Sequence, residues 1–154
     1  MKMTQNELAT NEEPRTTRTN FIDVNTDSQS IVVNAPAAEV YRCCLRFEDL
    51  PRFITSITKV DRIDDTRFSC TSIIKGEEVT SQVQIIMRVP DRRIAWQAVS
   101  DNFRVGAVCF DQLLGGTTKV TVKVRSIIEP VMLTGALRRY LRNFKRFIEQ
   151  EATT

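Results

Sequence analysis

Apolar and polar residues alternate with period two through most of the middle of the chain, then switch to a period near 3.6 at its end. Val120, Val122 and Val124 share one parity and Lys119, Lys123 and Arg125 the other, the pattern of a half-buried strand. Val79, Ser81, Val83, Ile85 and Met87 likewise oppose Thr80, Gln82, Gln84, Ile86 and Arg88. Val108 and Phe110 oppose Cys109 and Asp111, and Ile94, Trp96 and Ala98 oppose Ala95, Gln97 and Val99. Beyond Pro130 the apolar side chains recur at three- and four-residue steps: Leu133, Leu137, Tyr140, Leu141, Phe144, Phe147 and Ile148. That stripe predicts a core-facing helix over 132–150, with Arg138, Arg139, Arg142, Lys145 and Arg146 on its other side.

Turn chemistry divides the middle into six strands: 60–63, 67–74, 79–89, 94–99, 104–114 and 118–128. The dividers are Asp64-Asp65, Lys75-Gly76, Pro90-Asp91, Ser100-Asp101-Asn102 and Gly115-Gly116. Strands joined by such short turns are antiparallel neighbours, so they form a meander. Upstream, Ser30–Val33 reads as one more strand and Asn34-Ala35-Pro36 as the start of a helix, broken by Glu48-Asp49-Leu50-Pro51. A second short helix or turn is expected at Arg52-Phe53-Ile54. The order is β-α-α-β6-α, an α+β domain with the last helix covering the apolar face of the sheet. Residues 1–27 are polar and read as a flexible tail, leaving the domain at 28–151.

A twisted sheet bends away from a straight helix, so small inward residues leave a gap between them. Ser81 and Ala98 are small, as are Cys70, Ser72 and Gly106. Two readings follow from alternation: an apolar pocket with a few hydroxyls, or a solid core in which these residues face bulky partners such as Phe144. On the pocket reading the sheet lining is Phe68, Cys70, Ser72, Ser81, Val83, Ile85, Trp96, Ala98, Val108, Phe110 and Val122. The helix adds Leu137, Tyr140, Leu141 and Phe144, and Phe53 with Ile54 forms a lid. Trp96 either stacks on a flat ligand or simply fills core. Arg104 shares the parity of Val108 and either reaches the pocket mouth or lies solvated at the strand start.

Composition narrows the chemistry. There is no histidine, which removes Ser-His-Asp triads, histidine metal sites and histidine acid–base catalysis. Cys43, Cys44, Cys70 and Cys109 lack a CxxC spacing and read as small buried hydrophobes in a reducing compartment. No catalytic residue, metal or cofactor is expected, and a net charge of +3 does not mark a nucleic-acid binder. The absence of an apolar leader or spanning run leads to the expectation of a cytoplasmic protein. The five cations of the terminal helix read as a solvated face or as a peripheral contact with anionic membrane. A monomer or weak dimer is expected.

Several blocks resemble one family. They are VNAPAAEVY (Val33–Tyr41), FEDLPRFI (Phe47–Ile54), VPDRRIAWQ (Val89–Gln97), VGAVCF (Val105–Phe110), GTTKVTVKV (Gly116–Val124) and NFKRFIEQ (Asn143–Gln150). Together they are similar to the polyketide cyclase/dehydrase family of the START-like (Bet v 1-like, SRPBCC) helix-grip superfamily. The resemblance implies a curved seven-stranded antiparallel sheet gripping a long C-terminal helix, with a cavity for apolar ligands. Related members often carry Trp where this chain has Ser81, and another near Phe68, so ligand identity does not transfer. It implies a carrier or sensor of a lipid, quinone or polyketide-like molecule, or an aromatase/cyclase-type enzyme, for which this chain offers only Ser72, Ser81, Tyr140 and Arg104 as polar groups. A third class, a protein-interaction module, would use the outer sheet face near Ile86 and Val99.

Overall fold

The computed structural model describes residues 24–99 and 104–153. Seven strands form one antiparallel sheet: β1 (Asn25–Val33), β2 (Ile57–Arg62), β3 (Arg67–Ile74), β4 (Glu77–Val89), β5 (Arg93–Ala98), β6 (Val105–Gln112) and β7 (Thr118–Ser126). Between β1 and β2 stand helix α1 (Ala37–Cys44) and a 3-10 turn (Phe47–Arg52), and helix α2 (Pro130–Thr153) closes the chain. The spatial order is β1-β7-β6-β5-β4-β3-β2, a meander whose last strand pairs with the first. This is the helix-grip fold expected from the sequence.

Two differences follow from local chemistry. The β1 strand begins at Asn25, inside the stretch assigned to the tail, because it pairs residue by residue with β7 up to Ser126. Residues 1–23 of the expected tail lie outside the described residues. The second short helix falls on the Glu48–Pro51 breaker itself rather than after it. Three-residue turns tolerate a proline near their end, and burial of Phe47 against Phe68, with ring centroids 4.4 Å apart, holds the turn in place.

The β3–β4 hairpin turns on two residues, Lys75 and Gly76, with φ of 52° and 80°. Both values are positive, as a tight turn matched to strand twist requires. A bulge between Ile85 and Met87 adds one residue to β4 opposite β5. Side-chain parity therefore flips, and Met87, expected on the inner face with Ile85, pairs with Ala95 on the outer face at 45% exposure.

Helix α2 begins with Pro130 at its first position, where a missing N–H costs nothing. Leu133, Leu137, Leu141, Phe144, Phe147 and Ile148 are all buried. Each contributes up to about 1.5–3 kcal/mol relative to an exposed side chain. Its flank is fastened to β1: Arg138 Nε donates to Gln29 Oε1 at 3.1 Å and Lys145 Nζ to the Val32 carbonyl at 2.9 Å. Glu149 accepts from Lys145 Nζ and from the Asn34 backbone N–H, and these bonds hold its carboxyl below the usual carboxylate range. The same Asn34-Ala35-Pro36 corner is gripped from the sheet. Buried Thr118 donates its hydroxyl to the Ala35 carbonyl at 2.7 Å, and Gln112 Oε1 accepts from the Ala37 N–H at 2.8 Å.

Candidate functional site

The sheet curves away from α2 over their middle and leaves a cavity of about 390 Å³. Its floor comes from inward positions of five adjacent strands: Phe68, Cys70 and Ser72 on β3, Ser81, Val83 and Ile85 on β4, Ile94 and Trp96 on β5, Val108 on β6, and Val120, Val122, Val124 and Ser126 on β7. The roof is the α2 stripe, Leu133, Ala136, Leu137, Tyr140, Leu141 and Phe144. The end wall is Cys44, Phe47, Leu50, Phe53, Ile54 and Ile57. Ile128 lines the cavity and is 44% exposed, which marks one side of the mouth.

Most of the residues chosen from parity meet at this cavity; two do not. Phe110 has inward parity but only 1% exposure, and its ring stacks edge-on against Tyr41 at 5.9 Å in the solid core under α1. Ala98 pairs with Val83 on the inner face, yet its methyl is buried and forms no part of the lining. Phe53, expected in a lid, is a buried part of the wall. It packs between Phe144 and Phe147 at 5.0 and 5.7 Å, and Asn143 Nδ2 donates to its carbonyl at 3.1 Å. Half-buried Ile54 is the neighbour left at the rim.

Gly106 sets the attitude of Trp96. The two residues are paired across β5 and β6, and the indole lies directly over the glycine: a Cβ there would sit 2.3 Å from Trp96 Cζ2. Only the missing side chain lets the ring rest flat on the sheet and leave space above it.

The lining is chemically quiet. Its polar groups are the hydroxyls of Ser72, Ser81, Ser126 and Tyr140 and the thiols of Cys44 and Cys70. Tyr140 Oη shares a hydrogen bond with Ser56 Oγ at 3.1 Å, and Ser126 Oγ accepts from the Ile128 N–H at 3.2 Å. Burial pushes both thiols upward, Cys44 far up, so they stay protonated and are poor nucleophiles. None of Cys43, Cys44, Cys70 and Cys109 is in a disulfide. Among the described residues no cluster of His, Cys, Asp or Glu could hold a metal ion, and no helix is long and apolar enough to cross a membrane. Of the five cations expected to form a basic face, Arg138 and Lys145 are engaged with β1. Arg104 lies outside the lining.

A curved antiparallel sheet closed by one long helix, with an apolar cavity between them, defines a START-like helix-grip fold. The chain matches the family described as "Polyketide cyclase / dehydrase and lipid transport" over residues 27–149, and it belongs to that family. It is 28% identical over 132 residues to an uncharacterized 17.2 kDa protein from the melC2-rnhH intergenic region of Streptomyces lincolnensis, covering 79% of this chain and 88% of that one. A START superfamily protein from Mycobacterium smegmatis superposes with a TM-score of 0.67 at 14% identity, covering 81% of this chain and 97% of the other. The ZhuI aromatase/cyclase from Streptomyces sp. R1128 superposes with a TM-score of 0.69, also at 14% identity, covering 84% and 96%. At these identities the structural likeness concerns the fold alone.

The residues that parity missed include four of the end wall. Cys44, Phe47, Leu50 and Ile57 come from α1, the 3-10 turn and the start of β2, and only tertiary folding brings them to the sheet. Ile94, Val120, Val124, Leu133 and Ala136 carried the right period, so a stricter use of register would have found them.

Proposed function

We propose that the protein binds a hydrophobic small molecule in the cavity between sheet and helix, as a carrier or sensor. The observation that carries this reading is a 390 Å³ cavity lined almost wholly by apolar side chains. Membership of a family described by cyclase/dehydrase and lipid-transport activity supports it. Native mass spectrometry of protein purified from its own host, followed by organic extraction, tests it directly. A stoichiometric apolar mass is expected, and Ser81→Trp should expel it with the fold intact, because Ser81 lies on the cavity floor. A protein that is empty and also takes up no fatty alcohol, quinone or polyphenol would sink the reading.

An aromatase/cyclase-type activity is the second reading, favoured by the match to the ZhuI fold. Against it stands the lining, which contains no carboxylate or amine to shuttle protons among the described residues. Turnover of a poly-β-ketone substrate that is lost in Tyr140→Phe would reverse this ranking.

A further inference from the structure

Resting on the binding function proposed above, we infer that the cavity takes an electrically neutral molecule with one hydroxyl or carbonyl oxygen, and excludes the carboxylate of the same skeleton. The cavity carries hydroxyls but no Lys, Arg, Asp or Glu side chain among its described lining residues. A carboxylate drawn into such a space loses its water and meets no counter-charge, so it enters only after taking up a proton. A hydroxyl or carbonyl faces no such barrier. Tyr140 Oη, held from behind by Ser56 Oγ at 3.1 Å, keeps hydrogen-bonding capacity for one ligand oxygen, with Ser72 and Ser81 on the opposing strands. The thiols do not alter this balance, since burial keeps Cys44 and Cys70 neutral.

The test is a matched pair, decan-1-ol and decanoate, titrated against the emission of Trp96, the one tryptophan of the chain and a part of the cavity wall. With a carboxyl pKa of about 4.3, only about one molecule in 500 is neutral at pH 7. Decanoate should therefore bind about 500-fold more weakly than decanol at pH 7, and gain about tenfold for each pH unit removed down to about pH 5. Tyr140→Phe should weaken decanol about fivefold to tenfold and leave decane unchanged. Decanoate binding within tenfold of decanol at pH 7, with a flat pH profile, would overturn the inference and leave the binding function standing. If Arg104→Ala then abolished decanoate binding, an anion site at the mouth would replace it. Failure of decanol, decane and decanoate alike would remove both the inference and the function it rests on.

Discussion

Gly106→Ala places one methyl group where the structure has room for none. The new Cβ would lie 2.3, 2.7 and 3.0 Å from Trp96 Cζ2, Cε2 and Cη2. Carbon atoms rest at about 3.5–4.0 Å, so the indole has to move by more than about 1 Å. The backbone of β6 is held by neighbours on both sides, so the ring yields, and the open direction is upward into the cavity. Overpacking of this kind costs about 1–3 kcal/mol, while replacing a strand glycine recovers about 0.5–1 kcal/mol of backbone entropy. The net destabilisation is up to about 2.5 kcal/mol, with a central value of about 1 kcal/mol, a fall in Tm of about 2–4 °C at that central value for a chain of this length. Differential scanning calorimetry and Trp96 emission would both move, and ligand affinity would drop as the ring takes up cavity space. In a Trp96→Leu background the same methyl should cost far less, so the two substitutions are strongly non-additive. An unchanged Tm and emission in Gly106→Ala, or additive effects in the double mutant, would refute the idea that this glycine positions the cavity wall.

Ala98→Trp should cost at least about 3 kcal/mol in urea unfolding, because Ala98 is 6% exposed and lies off the lining of this cavity; a stable variant that merely loses ligand would place it on the lining after all. Thr118→Val keeps the side-chain shape but orphans the Ala35 carbonyl, and should cost about 1–3 kcal/mol by chemical denaturation; a neutral result would mean that water replaces the bond. Asp64 accepts from the Arg67 side chain and from the backbone N–H groups of Thr66 and Arg67, which hold its carboxyl down to about 2 from an ordinary 3.8. A depressed value means that its contribution is complete above about pH 3.8 and lost as pH falls through about 2. The stability gap between wild type and Asp64→Asn should therefore be constant from pH 7 to about 4 and close toward pH 2, and a gap still open at pH 2 would contradict this.

What the chain disclosed of its fold came from two periods and a set of turn residues. Val120, Val122 and Val124, or Leu133, Leu137 and Leu141, state their facing unaided because burial acts on every second or every third-to-fourth residue. The cavity lining was legible for the same reason wherever a strand kept its register. Met87 shows the limit: one extra residue at the β4 bulge reverses parity, and no local residue preference announces it. Phe110 and Ala98 show another. Parity assigns a side but says nothing of position along the strand, and inward residues toward the ends meet α1 or close packing instead of empty space. The end wall was invisible to periodicity, since Phe47, Leu50 and Ile57 reach it only through the path of the chain after α1.

The partnership of β1 with β7 has a kinetic consequence. Ser30 and Thr121, 91 residues apart, share a hydroxyl contact across this seam, whereas every other strand pair joins chain neighbours. Hairpins from β2 to β7 can assemble as soon as each turn emerges, at little entropic expense. The seam must wait for β7, and α2, which roofs the cavity and clasps β1, is made after every strand. Such a topology folds on the slower side for its size. During synthesis the strands of the apolar floor therefore emerge before its roof, so a ligand of the proposed kind that meets the nascent sheet would be enclosed by the closing helix without passing through the mouth.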